Sequence, residues 1–465
     1  MFVHALLSSI TLSVCPTRAP PTAAATAPST LSRTPLGVFE RAGTNVLDLA
    51  PHTAGPLAFS PTELAYGVYN DSYNAIGWDV LQVHGNPSKA DCDSAFGAGY
   101  FEGAVTALRI EQNAVNSGVK TYNTSGFLDD FLVANDRYRT TMISLVGDAP
   151  GALPASHADR RLWYQHALLQ AQLDGLEAGY NAIGRPSLVA AKTTSVDAPL
   201  TTRDFRLLQI GGDLEDLADF GCVHRPRSRD CSAPTRGFAH ISYFSLSLSV
   251  FSTCNASTAG DAGAGTSAAE TGPVFDPGRC SALIRLAPNN ADLFVAQETW
   301  ASLNSMLRMY KLYDLPFKMS DRENDPALRV PATRVSFSSY PGCLNSGDDF
   351  YVLSSGLIQQ ETTIGNSNKA LASRFITPFS VLEWRRNIVA NRLASSCDPT
   401  TDGSWSEWYR KENSGTYNNQ VRCGRILCSS EVTLHVFPSA NALTNQSNAP
   451  IREQYEHLSS SNFVL

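Results

Sequence analysis

Chemistry is easiest to place at Cys280. This residue joins a flexible connector to an apolar, strand-like run, so scission of the Arg279–Cys280 bond would make it N-terminal. A free α-amine has an ordinary pKa of ~7.7 to 8.0, close enough to neutrality to take the proton of its own residue's thiol without a histidine. That matters here, because none of the nine histidines lies between residues 241 and 434. A Cys–His pair would have to recruit His166 from upstream, or His435 or His457 from the tail. Taken on residue type alone, a buried structural cysteine is the plainer reading of Cys280.

Other common chemistries lack their signatures. The chain has no His-Glu-x-x-His, no phosphate-binding loop and no Gly-x-Ser-x-Gly elbow. Gly97, Gly99 and Gly103 loosely resemble a dinucleotide loop, but the spacing is wrong and they lie in a helical pattern, which favours close helix packing. The ten cysteines show no zinc-type spacing, so no metal or other cofactor is implied. Small disulfide loops are open to Cys222 with Cys231 and to Cys423 with Cys428. With a net charge of -7 there is no basic field for nucleic acid, and the run Arg225, Arg227, Arg229 reads as a solvated loop.

The elements that must position Cys280 follow from periodicity. Tyr66 to Val83 alternates as strands do, and helical spacing covers Asp93–Ile110, Leu162–Tyr180, Asp204–Leu217 and Pro378–Ser395. Ser281–Ile284 and Leu293–Ala296 read as strands around a Pro288-Asn289-Asn290 turn, with a helix expected over Thr299–Tyr313. Phe350–Leu353 and Leu357–Thr363 read as paired strands. Between about 222 and 279 the Gly/Ala/Ser/Thr-rich composition cannot bury enough apolar surface to offset its ordering entropy, so it reads as an exposed connector. The expected division is a signal-like leader (1–32), a first part of the domain (33–221), the connector (222–279), the cysteine-bearing part (280–420) and an atypical tail (421–465). Strands and helices alternate without a regular βαβ cycle, which favours a layered α+β sandwich.

The leader's apolar start and small residues resemble a signal peptide, and no stretch elsewhere reaches the ~18 apolar residues of a membrane helix. A secreted or lysosomal lumenal protein is expected. Sequons at Asn70, Asn123, Asn255 and Asn445 are then glycosylation candidates.

Several blocks are similar to those of the phospholipase B-like family: Cys280–Ile284, Phe337–Gly342, Ser346–Tyr351, Glu361–Asn366, Glu383-Trp384, Val389–Ala394 and Asn413–Gln420. Upstream, Gly77-Trp78, Gly99–Gly103 and Gly212–Leu217 resemble it too, so the likeness spans roughly residues 60 to 420. The resemblance implies the αββα sandwich of N-terminal-nucleophile hydrolases, self-cleavage before Cys280, and an acyl-enzyme mechanism with Cys280 as nucleophile and its α-amine as base. It places Trp300 and Thr362 in the nucleophile pocket, with Asp292 a weaker candidate for orienting the amine. The Asn413 block is expected to be a turn.

Two departures qualify that implication. Where animal members have His-Asn-Thr-Trp, this chain has Gln297-Glu298-Thr299-Trp300, and a Gln cannot relay protons. After Gln420 the family's closing region, with its pocket asparagine and arginine, is expected to be altered or missing. The leading expectation is a hydrolase of acyl ester or amide bonds whose partner is a phospholipid or other acyl lipid. The other is an inactive secreted glycoprotein that keeps the fold to bind lipid or protein.

Overall fold

The computed structural model describes Cys15 and residues 34–41, 44, 46–121, 126–146, 156–214, 216–217, 280–288, 292–301, 303–320, 328–363, 376–417, 419–426 and 432–438. Alternating stretches form strands β1 (Leu36–Glu40), β2 (Leu47–Pro51), β3 (Glu63–Asn70), β4 (Trp78–Gly85), β5 (Cys280–Leu286) and β6 (Leu293–Thr299). They continue as β7 (Arg308–Asp314), β8 (Arg334–Ser339), β9 (Phe350–Leu353), β10 (Leu357–Thr363), β11 (Asn419–Ile426) and β12 (Val432–Pro438). Ten of these make one sheet in the order β12-β11-β10-β9-β8-β7-β4-β3-β1-β2, while β5 and β6 pair separately. Every neighbouring pair in the large sheet is antiparallel except β4 with β7, where the two parts of the chain meet.

The helices are α1 (Tyr73–Ile76), α2 (Asp91–Val105), α3 (Ala107–Asn116), α4 (Gly126–Val146), α5 (His157–Gly179), α6 (Arg185–Ala191), α7 (Thr202–Gln209), α8 (Glu383–Leu393) and α9 (Trp405–Arg410). The helical pattern over Asp93–Ile110 divides at Thr106, whose hydroxyl bonds back to the Glu102 carbonyl at 2.7 Å and competes with helix continuation. The glycines of α2 serve packing, as their helical setting implied. A Cβ on Gly99 would lie 1.9 Å from the Gln172 carbonyl, and one on Gly175 would lie 2.0 Å from the Phe96 carbonyl, so α2 and α5 touch backbone to backbone.

Pairing register shows what each face of the sheet carries. Lys311, Phe337, Tyr351 and Gln359 are successive cross-strand partners and therefore share one face. That face meets the helices, since Lys311 Nζ bonds Glu102 Oε1 of α2 at 2.7 Å and both side chains are fully buried. The opposite face carries Gln360, which reaches the small sheet: its Nε2 donates to Gln297 Oε1 at 3.0 Å and to the Ala296 carbonyl at 3.3 Å. Away from that hairpin the second face stays open, with Tyr310 and Val352 each about two-fifths exposed. The architecture is α+β, with helices on one side of a large mixed sheet and a two-stranded hairpin on the other.

Four expectations are corrected or extended. The helix expected over Thr299–Tyr313 is a short 3-10 turn at Leu303–Ser305 followed by β7. Leu303, Met306, Tyr310 and Tyr313 imitate a helical stripe, but Leu303 is 80% exposed, and the alternation of buried Met309, Lys311 and Tyr313 decides for a strand. Cys423, on β11, bonds Cys397 and not Cys428. Cys15, in the low-complexity leader, bonds Cys92 at the start of α2. Beyond Gln420 the chain stays in the sheet, as β11 and β12. The pairing of Cys222 with Cys231 lies outside the described residues.

Candidate active site

Cys280 opens β5 opposite Thr299, the last residue of β6. Alternation along the hairpin turns Ser281 and Leu283 to solvent and Cys280 inward, half-buried. Its thiol is free and lies on the wall of a cleft of about 100 Å³ that opens to solvent. The Trp300 backbone N–H and the Thr299 side chain hydrogen-bond it, but burial, reinforced by the negative charges of Asp349 and Asp348, pushes the thiol up to about 12. It is therefore a resting thiol that needs a base. Among the described residues, none lining the cleft is a histidine. His166 is buried within α5, where burial and nearby Arg385 and Arg139 hold its ring well below the usual range.

The structure brings together some of the residues singled out in sequence and separates others. Trp300 shares the cleft wall with Cys280 and is 53% exposed. Gln297 bridges sheet to sheet: besides accepting from Gln360, its Nε2 donates to the Glu361 carbonyl at 2.8 Å. Thr362 follows on β10, half-buried, on the same face as Gln360; neither it nor Gln297 lines the cleft. Asp292 lies one residue beyond the last register pair, seven positions along the hairpin from Cys280 and roughly 23 Å at strand spacing, and its Oδ1 accepts from Leu293 N at 2.8 Å. It shapes the hairpin's far turn and cannot orient an amine at Cys280. Asn70 ends β3 half-buried, while Arg279, Asn123, Asn255 and Asn445 lie outside the described residues.

Sequence reasoning missed the cleft's acids, Asp213, Asp349 and Glu383, with Glu361 buried behind them. Asp213 Oδ1 accepts from Glu383 N at 2.9 Å at the start of α8, whose own N-cap residue Leu382 offers no side-chain bond. Asp213 also accepts from the Thr416 hydroxyl. Glu383 accepts from Asn387 and Tyr409, yet burial, reinforced by Asp213, pushes its carboxyl up to about 7. Asp349 and Glu361 hydrogen-bond each other, and burial raises both well above the carboxylate range. Of these carboxyls, Glu383 at about 7 still holds a proton through the mildly acidic range.

One further contact closes the cleft. Asn413 Oδ1 accepts from Gly415 N at 2.9 Å, a turn as its sequence implied. The turn delivers Tyr417, whose N–H donates to Asp216 Oδ2 at 2.6 Å and whose hydroxyl donates to Asp349 Oδ2 at 2.7 Å. Gly212 makes room for it, because a Cβ there would lie 2.6 Å from the Tyr417 ring. Blocks some 200 residues apart in sequence thus interlock at the cleft. The sequence signal was the pair of blocks itself, which carried no hint that they meet.

Among the described residues no group of His, Cys, Asp and Glu is placed to hold a metal ion, and no helix is long and apolar enough to cross a membrane.

Comparison with known proteins bears on this geometry. The phospholipase B family model matches residues 65–423. The chain is 33% identical over 370 residues to a putative phospholipase B-like 2 of Rattus norvegicus, covering 78% of this chain and 51% of the relative. It is 31% identical over 362 residues both to a phospholipase B-like 1 of Bos taurus and to phospholipase-B 81 of Drysdalia coronoides, covering 77% of this chain and 53% and 54% of the relatives. The chain spans about half the length of the curated relatives it matches.

Proposed function

Because the chain belongs to the phospholipase B family, we propose that it is a hydrolase of acyl ester bonds in phospholipids or related lipids, with Cys280 as nucleophile, activated by cleavage of the Arg279–Cys280 bond. The observation that carries this reading is the placing of a free thiol at the first residue of β5, on the wall of an open cleft whose described lining holds no histidine. A thiol raised to about 12 needs a base, and an α-amine created at the same residue is the nearest one available.

Attack of Sγ on the carbonyl of residue 279 breaks the C–N bond and forms a thioester, with the proton passing to the departing nitrogen. Water then releases residue 279 as a carboxylate. The freed α-amine takes the thiol proton, and the thiolate adds to the lipid acyl carbon. The alcohol leaves with that proton, and water hydrolyses the acyl-thioester to free fatty acid and thiol. Backbone donors such as the Trp300 N–H suit the oxyanion of both steps. The hairpin lying on the large sheet supports the αββα sandwich of the N-terminal-nucleophile class, with the second sheet represented by β5 and β6. The Cys397–Cys423 bond, together with the leader and sequons, supports a secreted or lysosomal setting.

The test is expression through a secretory route beside Cys280→Ala, with intact mass spectrometry and N-terminal sequencing. A new N-terminus at Cys280 in the wild type alone supports the mechanism, and a lipid ester and amide screen then fixes the bond. A folded, soluble wild type that stays whole rejects it. One observation favours the second reading, a non-catalytic binding glycoprotein: Gln297, in place of the family's histidine, is consumed in bridging β6 to β10.

A further inference from the structure

Two non-glycine residues of the cleft have left-handed backbones, Asp349 with φ 59° and Tyr417 with φ 52°, and they are hydrogen-bonded to each other. Such conformations persist only where surroundings over-determine them, and they gather at functional sites. Both residues are held in this way. Tyr417 is fixed by Asp216 and by the space above Gly212. Asp349 N donates to the Ser346 carbonyl, and the Asp349 carbonyl accepts from Glu361 N at 3.1 Å.

The corner at Asp348 and Asp349 is tied to the Cys280 end of the hairpin. Thr299, the cross-strand partner of Cys280, donates its hydroxyl to the Asp348 carbonyl at 3.2 Å. Of the two acids on that corner, Asp348 is engaged by the Arg308 guanidinium and the Tyr340 hydroxyl. Asp349 is bonded instead to uncharged donors, the Tyr417 hydroxyl and the protonated side chain of Glu361. The other described titratable groups that act on it are Glu383, Asp348, Tyr351 and the Cys280 thiol, none of them a cation. A buried acid built into a strained corner beside the nucleophile therefore has no cation bonded to it among the described residues of the uncut chain.

Cutting before Cys280 supplies one. The neutral peptide nitrogen becomes an ammonium, appearing at the end of β5 that this corner supports. We propose that Asp349, braced by Tyr417, is the positioning residue that receives the α-ammonium of Cys280 and aims it at its own sulfur, the role Asp292 is too distant to fill. This inference rests on the cleavage reading above. The carboxylate accepts one N–H, which leaves the remaining hydrogens or the lone pair directed to Sγ. Tyr417 acts through Asp349 and touches neither the sulfur nor the amine.

The experiment reads the pKa of the Cys280 α-amine in the cut full-length chain. The thiol is capped as a methyl disulfide, the amine is pulsed with acetic anhydride across pH, and the N-terminal peptide is quantified by mass spectrometry. Loss of a close carboxylate lowers an ammonium's pKa by about one unit or more, which is the shift expected for Asp349→Asn. Tyr417→Phe should give a smaller fall, and Asp292→Asn none. An amine pKa equal to wild type in Asp349→Asn, or a shift in Asp292→Asn, overturns the proposal. If Asp349→Asn does not fold, Tyr417→Phe decides, with an unmoved pKa again negative. A wild-type chain that never cuts itself defeats the cleavage reading separately. A site for a specific protease placed just before Cys280 then supplies the amine, and the same comparison settles the role of Asp349.

Discussion

The crossing of α2 with α5 and the cleft at Cys280 are built on opposite terms. At the crossing, small residues let two backbones meet, and Gly103 and Gly179 repeat one turn on the contact made by Gly99 and Gly175. In the cleft, polar and acidic groups are taken out of water, two backbones are held left-handed, and burial pushes the carboxyls of Asp349 and Glu361 well above their usual range. The crossing is arranged for stability. The cleft gives stability up, as sites that must act on a ligand commonly do.

Breaking that contrast starts with its largest expected effect, on the helix-bearing side. Lys311→Ala strands Glu102 as an unpaired buried charge beneath α2, at a cost of about 3–5 kcal/mol in urea unfolding. Gly103→Val drives a side chain into the Leu176 carbonyl, 1.9 Å from the new Cβ, and costs about 3 kcal/mol by the same measurement. The pH dependence of the cleft comes next. Glu383 moves from the usual 4.5 to about 7 on folding, so between those values the folded state holds a proton that the unfolded state has lost. Its contribution is complete below about pH 4.5 and disappears as pH rises through about 7. Glu383→Gln should flatten the fall in stability over that window. His166, buried neutral, pulls the other way below its ordinary value, so the variant must be compared with wild type pH by pH. The smallest effect on stability belongs to Cys280→Ala, less than about 1 kcal/mol, while cleavage before residue 280 is abolished. A loss comparable to that of Lys311→Ala would mean that Cys280 is a structural cysteine after all.

The same contrast separates what was legible in the sequence from what was not. Small residues a turn apart within α2 announced close packing, because the information is local. The hairpin of β5 and β6 was visible in its alternation and turn residues, as were β9 and β10. Strand β7 was misread because its defining residue, Lys311, makes sense only beside Glu102, 209 residues away in sequence. The bond from Cys397 to Cys423 hides for the same reason: it depends on β11 joining β10. At the site, Cys280 and Trp300 were legible as residue types in a recognisable block. The pairing of Asp349 with Tyr417, and of Asp213 with Thr416, was not, since neither member signals a partner until the chain has folded.

The parallel seam between β4 and β7 changes what a cut at residue 280 does to the molecule. Strands on one side of the seam would belong to one polypeptide and strands on the other side to a second, held by non-covalent contacts that include seven backbone register pairs, the buried Lys311–Glu102 pair and the interlock of Asp213 with Thr416. Both disulfides described fall within one piece or the other, so neither crosses the seam. Folding of the uncut chain is a first-order process. Once cut and then unfolded, the same protein has to be reassembled by the collision of two chains, at a rate proportional to concentration. Cleavage would thus convert a renewable fold into a one-way product, sound while it lasts and not rebuilt after dilution.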